Sequence, residues 1–339
     1  MGNHGMSNAY VVLDLEWNQG WRRGVQCSEL LQIGAVGLDE HFQVTGVFNS
    51  YLRPVHLRRL NNKILRLTGA DAAEVKAADD FTTVWPRFSE WCGDALLLAW
   101  GPSDELMLRR NLALYGLSDQ TLRPFYNVQL AYIAAAGLTQ EPSLASAVEA
   151  LGLEDSLAYH DAANDARYTA QIARVLAECA GGKLPDQATV QGRLSDIVAE
   201  RQAEKREAVS AELTELTASA AVIDERKLRG YVSEENCCSS IRARRVTCPV
   251  CGWSTGVNAL YPYAPQSYFA RARCPEHGPL YLTVSVRQQP SGRFGGVCRQ
   301  LAPSDGLEQA YRTARGCIPA AALRHSRRHS RRRRRKRSA

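Results

Sequence analysis

No apolar run in this 339-residue sequence is long enough to cross a bilayer, and Met1 to Asn8, MGNHGMSN, lacks the apolar centre of a secretion signal. A cytoplasmic protein without membrane contact is therefore expected. In such a reducing setting the ten cysteines are expected as thiols, and paired cysteines more often hold metal than close disulfides. Acidic residues are missing from 321–339, where nine Arg and one Lys supply +10; the whole chain has a net charge of +7, which leaves −3 for the rest. Basicity is a property of the tail alone. What is present, 45% hydrophobic and 23% charged residues, is the make-up of a protein with a real core, and the length suggests two domains.

The first chemical signal is Tyr10 to Trp17, YVVLDLEW. Its valines and leucines read as a buried strand, on which residues i and i+2 share a face, so Asp14 and Glu16 project together. Two carboxylates on one face of a core strand repel and are costly to desolvate unless a cation, most simply a divalent one, lies between them. The alternative is an accidental pair with one acid exposed at the strand end.

Asn18 to Gln26 is polar and reads as a link to a second apolar segment, Leu30 to Leu38. Asp39-Glu40 makes a turn, and Phe42 to Leu52 alternates as a third strand, giving an antiparallel meander. Leu60 to Leu67 and Phe81 to Cys92 have helical spacing, the first ended by Gly69. Ala95 to Trp100, ALLLAW, is a short buried strand that leads into a helix carrying Asp104, with Ser103 as its N-cap. Beyond Val128 the pattern is wholly helical: one helix opens at Pro142-Ser143 and stops at Gly152, and another runs from Asp161 to Cys179. A meander followed by alternating strand and helix predicts an α/β fold, a mixed sheet with helices on its faces.

Two further acids join the first pair. Asp104 stands where a core strand turns into a helix, the sheet edge at which α/β folds bind ligands. Asp165 lies in HDAANDARYTAQI, and with His160 in the loop or cap before the helix, both can face one cleft. Four carboxylates and a histidine suit two-metal phosphoryl chemistry, in which ions about 3.5 to 4 Å apart stabilise the attacking and leaving oxygens. A histidine can deprotonate the attacking water.

Over residues 9 to about 180 these motifs resemble the DEDDh 3′-to-5′ exonucleases of the DnaQ-like, ribonuclease H-like superfamily: Asp-x-Glu in the first strand, Leu67-Thr68-Gly69 after the third, an acid after the fourth, and His160-x-x-x-x-Asp165 near the end. That last spacing is the histidine subclass's; the tyrosine subclass has one intervening residue fewer. DLEWN and the Trp100-Gly101 before Asp104, where proofreading exonucleases usually have His-Asn, look more like the KapD-like and Eri-type branch. The resemblance implies a five-stranded ribonuclease H-like sheet over 8–182 and two Mg²⁺ or Mn²⁺ ions on Asp14, Glu16, Asp104 and Asp165. It makes His160 the general base and puts Leu15, Trp17, Leu67 and Thr68 at the 3′-terminal nucleotide. Trp17 reads equally as a core or rim aromatic.

Residues 183–236, rich in Glu, Arg, Ala, Gln and Leu, read as a helical connector whose heptads are too few for a coiled coil. In 237–305, Cys248-Pro249-Val250-Cys251-Gly252 is followed after 22 residues by Cys274-Pro275-Glu276-His277-Gly278. Each half offers two ligands on a tight turn, and together they complete a tetrahedral zinc site, so a small β zinc ribbon is expected with strands near 268–273, 280–287 and 293–301. Such a unit is expected to need its structural Zn²⁺ to fold. Its arginines and aromatics suit nucleic acid or, equally, a small core with a solvated face. The remainder, 306–339, reads as a disordered basic tail, similar to a nuclear localisation signal but more simply an arm for polyanions.

The whole predicts an exonuclease that removes 5′-mononucleotides from single-stranded 3′ ends, RNA before DNA on the branch resemblance. A nucleic-acid-binding regulatory or docking protein on an exonuclease fold is the alternative, disfavoured because all four acids and the histidine are present. A DNA polymerase proofreading subunit is disfavoured by Trp100-Gly101.

Overall fold

Strand β1 (Tyr10–Arg22) pairs antiparallel with β2 (Val25–Leu38), which pairs antiparallel with β3 (Val44–Tyr51), as the meander predicts. The structure, a computed structural model, describes residues 8–317 apart from Arg23, Arg58, Thr121, Arg123, Pro124 and Asp155. The basic residues beyond 317 therefore lie outside the described residues. Helices α1 (Asn62–Thr68), α2 (Ala72–Ala77) and α3 (Phe81–Cys92) follow, then β4 (Leu96–Ala99), α4 (Ser103–Leu114) and the two-residue β5 (Tyr126–Asn127). Next come α5 (Val128–Ala136), α6 (Leu144–Ala150), α7 (Ala162–Cys179) and α8 (Gln187–Ser219). β4 and β5 run parallel to β1, so the mixed five-stranded sheet has the order β3-β2-β1-β4-β5.

The apolar character of β1 follows from burial on both faces. Val11, Leu13 and Leu15 pack with Phe81, Val84 and Phe88 of α3 and Leu108 and Leu112 of α4. Val12 packs on the opposite face with Ala166, Tyr168 and Ile172 of α7. Each such side chain, fully buried, contributes about 1.5–3 kcal/mol.

The polar stretch Asn18 to Gln26 differs from expectation: it is strand, not link, and β1 and β2 continue as a hairpin to Arg22 and Val25. The reason lies in partners distant in sequence. Asn18, buried, donates to the Leu57 and Arg59 carbonyls and accepts from the Asn61 N–H. Glu29, also buried, accepts from the N–H groups of Val55, His56 and Leu57 and from the Tyr115 hydroxyl. Polar residues satisfied in this way sit in a strand without cost. Ser103 likewise differs: it is the first residue of α4, and Pro102 before it gives no side-chain cap. β5 is too short for a periodic signal.

The chain divides into two compact units between Val198 and Ala199. In the second, β6 (Val222–Tyr231) is followed by the short helices α9 (Glu234–Ser239) and α10 (Ile241–Arg244). Then come β7 (Arg245–Thr247), β8 (Ser254–Gly256), β9 (Tyr261–Ala264), β10 (Ser267–Cys274), β11 (Gly278–Gln288), β12 (Phe294–Leu301) and α11 (Asp305–Cys317). Five strands form an antiparallel sheet in the order β6-β12-β11-β10-β9, and β7 and β8 form a separate hairpin. Alternation along β11 sends Leu280, Leu282 and Val284 to a core with Val246 and Cys298, and Tyr281 to another with Phe269, Leu213 and Leu307. The unit is thus larger than the ribbon predicted over 237–305. Residues 222–231, expected in the connector, are a sheet strand, and 306–317, expected in the tail, are helix.

Candidate active site

Asp14 and Glu16 leave β1 on the face that carries Val12, the face covered by α7. α7 can lie close because β2 has glycine at the contact: a Cβ on Gly34, the residue paired with Asp14, would stand 2.1 Å from the Ala162 carbonyl carbon. Gln32, buried two residues earlier in β2, fixes the start of the helix. Its Nε2 donates to Asp161 Oδ2 at 3.1 Å and its Oε1 accepts from the Ala162 N–H at 3.4 Å. Asp161 caps α7 by accepting from the Asn164 N–H, and Asp165, one turn on, faces back to the sheet.

His160 stands in the loop before α7, as the spacing predicts, with a left-handed backbone (φ 64°) uncommon for a non-glycine residue. Its backbone N–H donates to Asp165 Oδ2 at 3.1 Å. Tyr168 of α7 holds the same loop: its hydroxyl donates to the Leu157 carbonyl and accepts from the Leu157 N–H, both at 2.8 Å, and its ring stacks on Tyr159. Asp104 arrives from the other side of β1. The β1–β4 ladder ends at Val12 and Leu98, and the N–H of Leu15 beyond it donates to Asp104 Oδ1 at 3.0 Å.

The four acids line one cavity of about 390 Å³ with His160, Leu15, Trp17 and Leu67. Thr68 is not in it. Its buried hydroxyl donates to the Ile64 carbonyl and accepts from the Ala70 N–H, closing the end of α1 beside Leu67. Ile64, Ser103 and Trp100 line the cavity without having been predicted as site residues.

Burial raises all four carboxyls. Asp14 is held well above its ordinary value by desolvation and then by the charges of Asp104, Asp165 and Glu16. Glu16 is pushed to about 8 by burial and then by Asp165 and Asp104. Asp104 reaches about 7 through burial, against the lowering effect of the Leu15 N–H. Asp165 reaches about 6 through burial, against the lowering effects of His160's backbone N–H and ring. Such a cluster is a site for cations by its own electrostatics. Asp165 Oδ1 is buried without a partner, and oxygens of Glu16 and Asp165 lie with a His160 nitrogen within 4.8 Å of one another. Hard carboxylate oxygens of this kind fit Mg²⁺ or Mn²⁺.

In the second unit, Cys248 and Cys251 sit on the β7–β8 turn and Cys274 and His277 on the β10–β11 turn, with ligand atoms within 4.8 Å of one another. Cys251 Sγ to Cys274 Sγ is 3.6 Å and Cys274 Sγ to His277 Nδ1 is 3.7 Å. A tetrahedron with metal–sulfur arms of ~2.3 Å has edges of about 3.7 Å, so the donors fit zinc. The backbone N–H groups of Cys251 and Val250 pull the Cys248 thiol down to about 7 despite desolvation, toward the thiolate that a metal requires.

Residues 11–173 match the model of the exonuclease family, RNase_T. No curated protein matches the sequence. Among solved structures, the chain is similar to the nuclease domain of 3′hExo, a DEDDh family member, bound to rAMP, at 21% identity and a TM-score of 0.46 over 53% of this chain and 97% of that one. It is similar to cell-death related nuclease 4, CRN-4, at 19% identity and a TM-score of 0.46 over 52% and 66%. It is also similar to E. coli Exonuclease I in complex with a dT13 oligonucleotide, at 16% identity and a TM-score of 0.41 over 77% and 55%.

Proposed function

We propose that the chain, whose residues 11–173 match the exonuclease family, is an exonuclease that removes 5′-mononucleotides from the 3′ ends of single strands, RNA before DNA. The observation that carries this reading is the meeting of Asp14, Glu16, Asp104 and Asp165, from β1, α4 and α7, in one cavity with His160 beside them. The lean to RNA rests on DLEWN and Trp100-Gly101 and their likeness to the KapD-like and Eri-type branch.

The four carboxylates would hold two Mg²⁺ or Mn²⁺ ions, which, when bound, neutralise charge on the phosphate and on the attacking and leaving oxygens. Leu15, Trp17 and Leu67 would grip the terminal nucleotide. His160 takes a proton from water as the water oxygen bonds to phosphorus. The bond from phosphorus to the 3′ oxygen of the preceding nucleotide breaks, releasing a 5′-monophosphate and leaving a new 3′-hydroxyl. The hydrogen bond from the His160 backbone to Asp165 fixes the base relative to the acids, and the electrostatic term is the largest such a site supplies.

We assign Zn²⁺ to Cys248, Cys251, Cys274 and His277 as a structural ion. Among the described residues no helix is long and apolar enough to cross a membrane. We place the protein in the cytoplasm on its metal-type cysteine pairs, with the basic tail an arm for polyanions.

The test pairs wild type with Asp14→Ala on 5′-labelled and 3′-labelled single-stranded RNA and DNA, with Mg²⁺, Mn²⁺ or EDTA. Wild type is expected to release mononucleotides stepwise from the 3′ end only with added divalent ion, and the variant to lose at least about 10³-fold in rate. If neither cuts while both bind the strands equally, the site is a docking module and the catalytic reading falls; the RNA-to-DNA rate ratio decides the substrate class.

A further inference from the structure

A second, larger concavity of about 900 Å³ adjoins the catalytic cavity and shares Gln19 with it. One wall is the far end of the β1–β2 hairpin, Gln19 to Trp21; the other is the segment from His56 through α1 to Lys76 on α2. α1 serves both spaces, with Ile64 and Leu67 lining the catalytic cavity and Asn61, Asn62 and Leu65 lining the groove.

The two spaces have opposite charge. Four carboxylates line the catalytic cavity, whereas among the described residues no acidic side chain lines the groove, and Arg59 and Lys76 do. Both are exposed, and neither forms an ion pair among the described residues. Trp21 is 74% exposed at the groove wall. An exposed indole beside unpaired cations is the combination that stacks bases and follows phosphates.

The groove is also built in advance. Asn18 ties the Leu57 and Arg59 carbonyls and the Asn61 N–H to β1, the Glu29 carboxylate gathers the N–H groups of residues 55–57, and Gly20 leaves room for Leu57 against the hairpin. Two polar anchors, Asn18 and Glu29, therefore shape a surface that the catalytic cavity does not use.

We propose that this groove binds the nucleotides on the 5′ side of the one being removed, with Trp21 stacking on a base and Arg59 and Lys76 on backbone phosphates. The inference rests on the exonuclease reading above. A strand whose 3′-terminal nucleotide fills the acid-lined cavity needs a path out, and the route past Gln19 leads to a cationic, aromatic surface. The groove would make the enzyme prefer longer strands to short ones without choosing sequence.

The test compares wild type, Trp21→Ala, Trp21→Phe and the double variant Arg59→Ala/Lys76→Ala in two measurements. The first is fluorescence anisotropy of a 5′-labelled single-stranded RNA octamer and trimer without added divalent cation, over a salt series. The second is the ratio of kcat/KM for the octamer to that for a dinucleotide with Mg²⁺. Trp21→Ala is expected to weaken octamer binding about tenfold, with Trp21→Phe restoring most of it. The double variant is expected to lower the salt slope by about 1.4, or about 0.7 per lost phosphate contact. In both, the octamer-to-dinucleotide ratio falls in parallel.

An unchanged octamer affinity and salt slope overturns the groove, as does an equal loss for octamer and trimer. The two readings fail separately. If wild type cuts nothing but the variants still lose octamer affinity, the groove stands and the catalytic reading falls. If wild type degrades strands and the variants bind and turn over the octamer normally, the reverse holds and the exposed indole belongs to a protein contact.

Discussion

Gly34 is the residue on which the geometry of the acids turns. In a strand pattern it reads as a neutral gap, yet it pairs with Asp14 and lies under the first turn of α7, where a Cβ would meet backbone on both sides of the Ala162–Ala163 peptide. Backbone cannot step aside as a side chain can, so Gly34→Ala must push α7 and with it Asp165 from the sheet. The expected outcome is a loss of about 1–3 kcal/mol in stability, read by urea unfolding. A fall in kcat larger than that loss explains is expected as well, since about 1 Å of displacement is costly to a catalytic constellation. Unchanged stability and turnover in this variant would mean that α7 does not rest on Gly34. Gln32 and Tyr168 belong with it as positioning residues: one holds the start of α7, the other the loop of His160.

At the scale of elements, β1, α4 and α7 bring together carboxyls that resist sharing charge. Glu16 at about 8, Asp104 at about 7 and Asp165 at about 6 stand above the values of about 4 that Asp and Glu have in an unfolded chain. Between about pH 4 and pH 8 the folded protein therefore keeps protons that the unfolded chain has given up. Stability of the metal-free protein must fall as pH rises through that window. Calorimetry without metal is expected to give a lower Tm for the first transition at pH 8 than at pH 5, with a smaller drop in Asp14→Asn. Mg²⁺, which binds the folded acids, is expected to restore the loss at pH 8 and do little at pH 5. An equal pH dependence in the variant would place its source outside the cluster.

For the whole molecule, the second unit changes what the four soft ligands are asked to do. A bare ribbon collapses without its ion, but here Leu282 and Val284 on one face of β11 and Tyr281 on the other are already buried among other elements of the same unit. Cys248→Ser is accordingly expected to lower zinc by about one ion per chain, measured by atomic absorption. Faster proteolysis at the β7–β8 and β10–β11 turns should accompany it, while the sheet's far-ultraviolet signal persists. Unchanged zinc content would remove the ion from these residues; loss of the sheet as well would show that the metal and the core fold as one.

The meeting of the four acids and His160 in one cavity was legible because its signal is local. A two-residue period put Asp14 and Glu16 on one face, and the spacing of His160 and Asp165 around a helix start needed only the neighbouring chain. The meander, the buried fourth strand and the long α7 were readable for the same reason, each being a period sustained within one segment. What the sequence did not disclose depends on groups far apart in it. Gln32 meets Asp161 across 129 positions, Asn18 meets Arg59 across 41, and Glu29 meets Leu57 across 28. Such partners turned a polar link into a strand and shaped the groove beside the acid-lined cavity. That Asp14 and Glu16 share a face could be read from the residues alone, because charge and period are carried residue by residue. How close α7 comes to the sheet and how the groove is shaped could be seen only in the folded chain, because close approach and polar satisfaction exist only between elements already brought together.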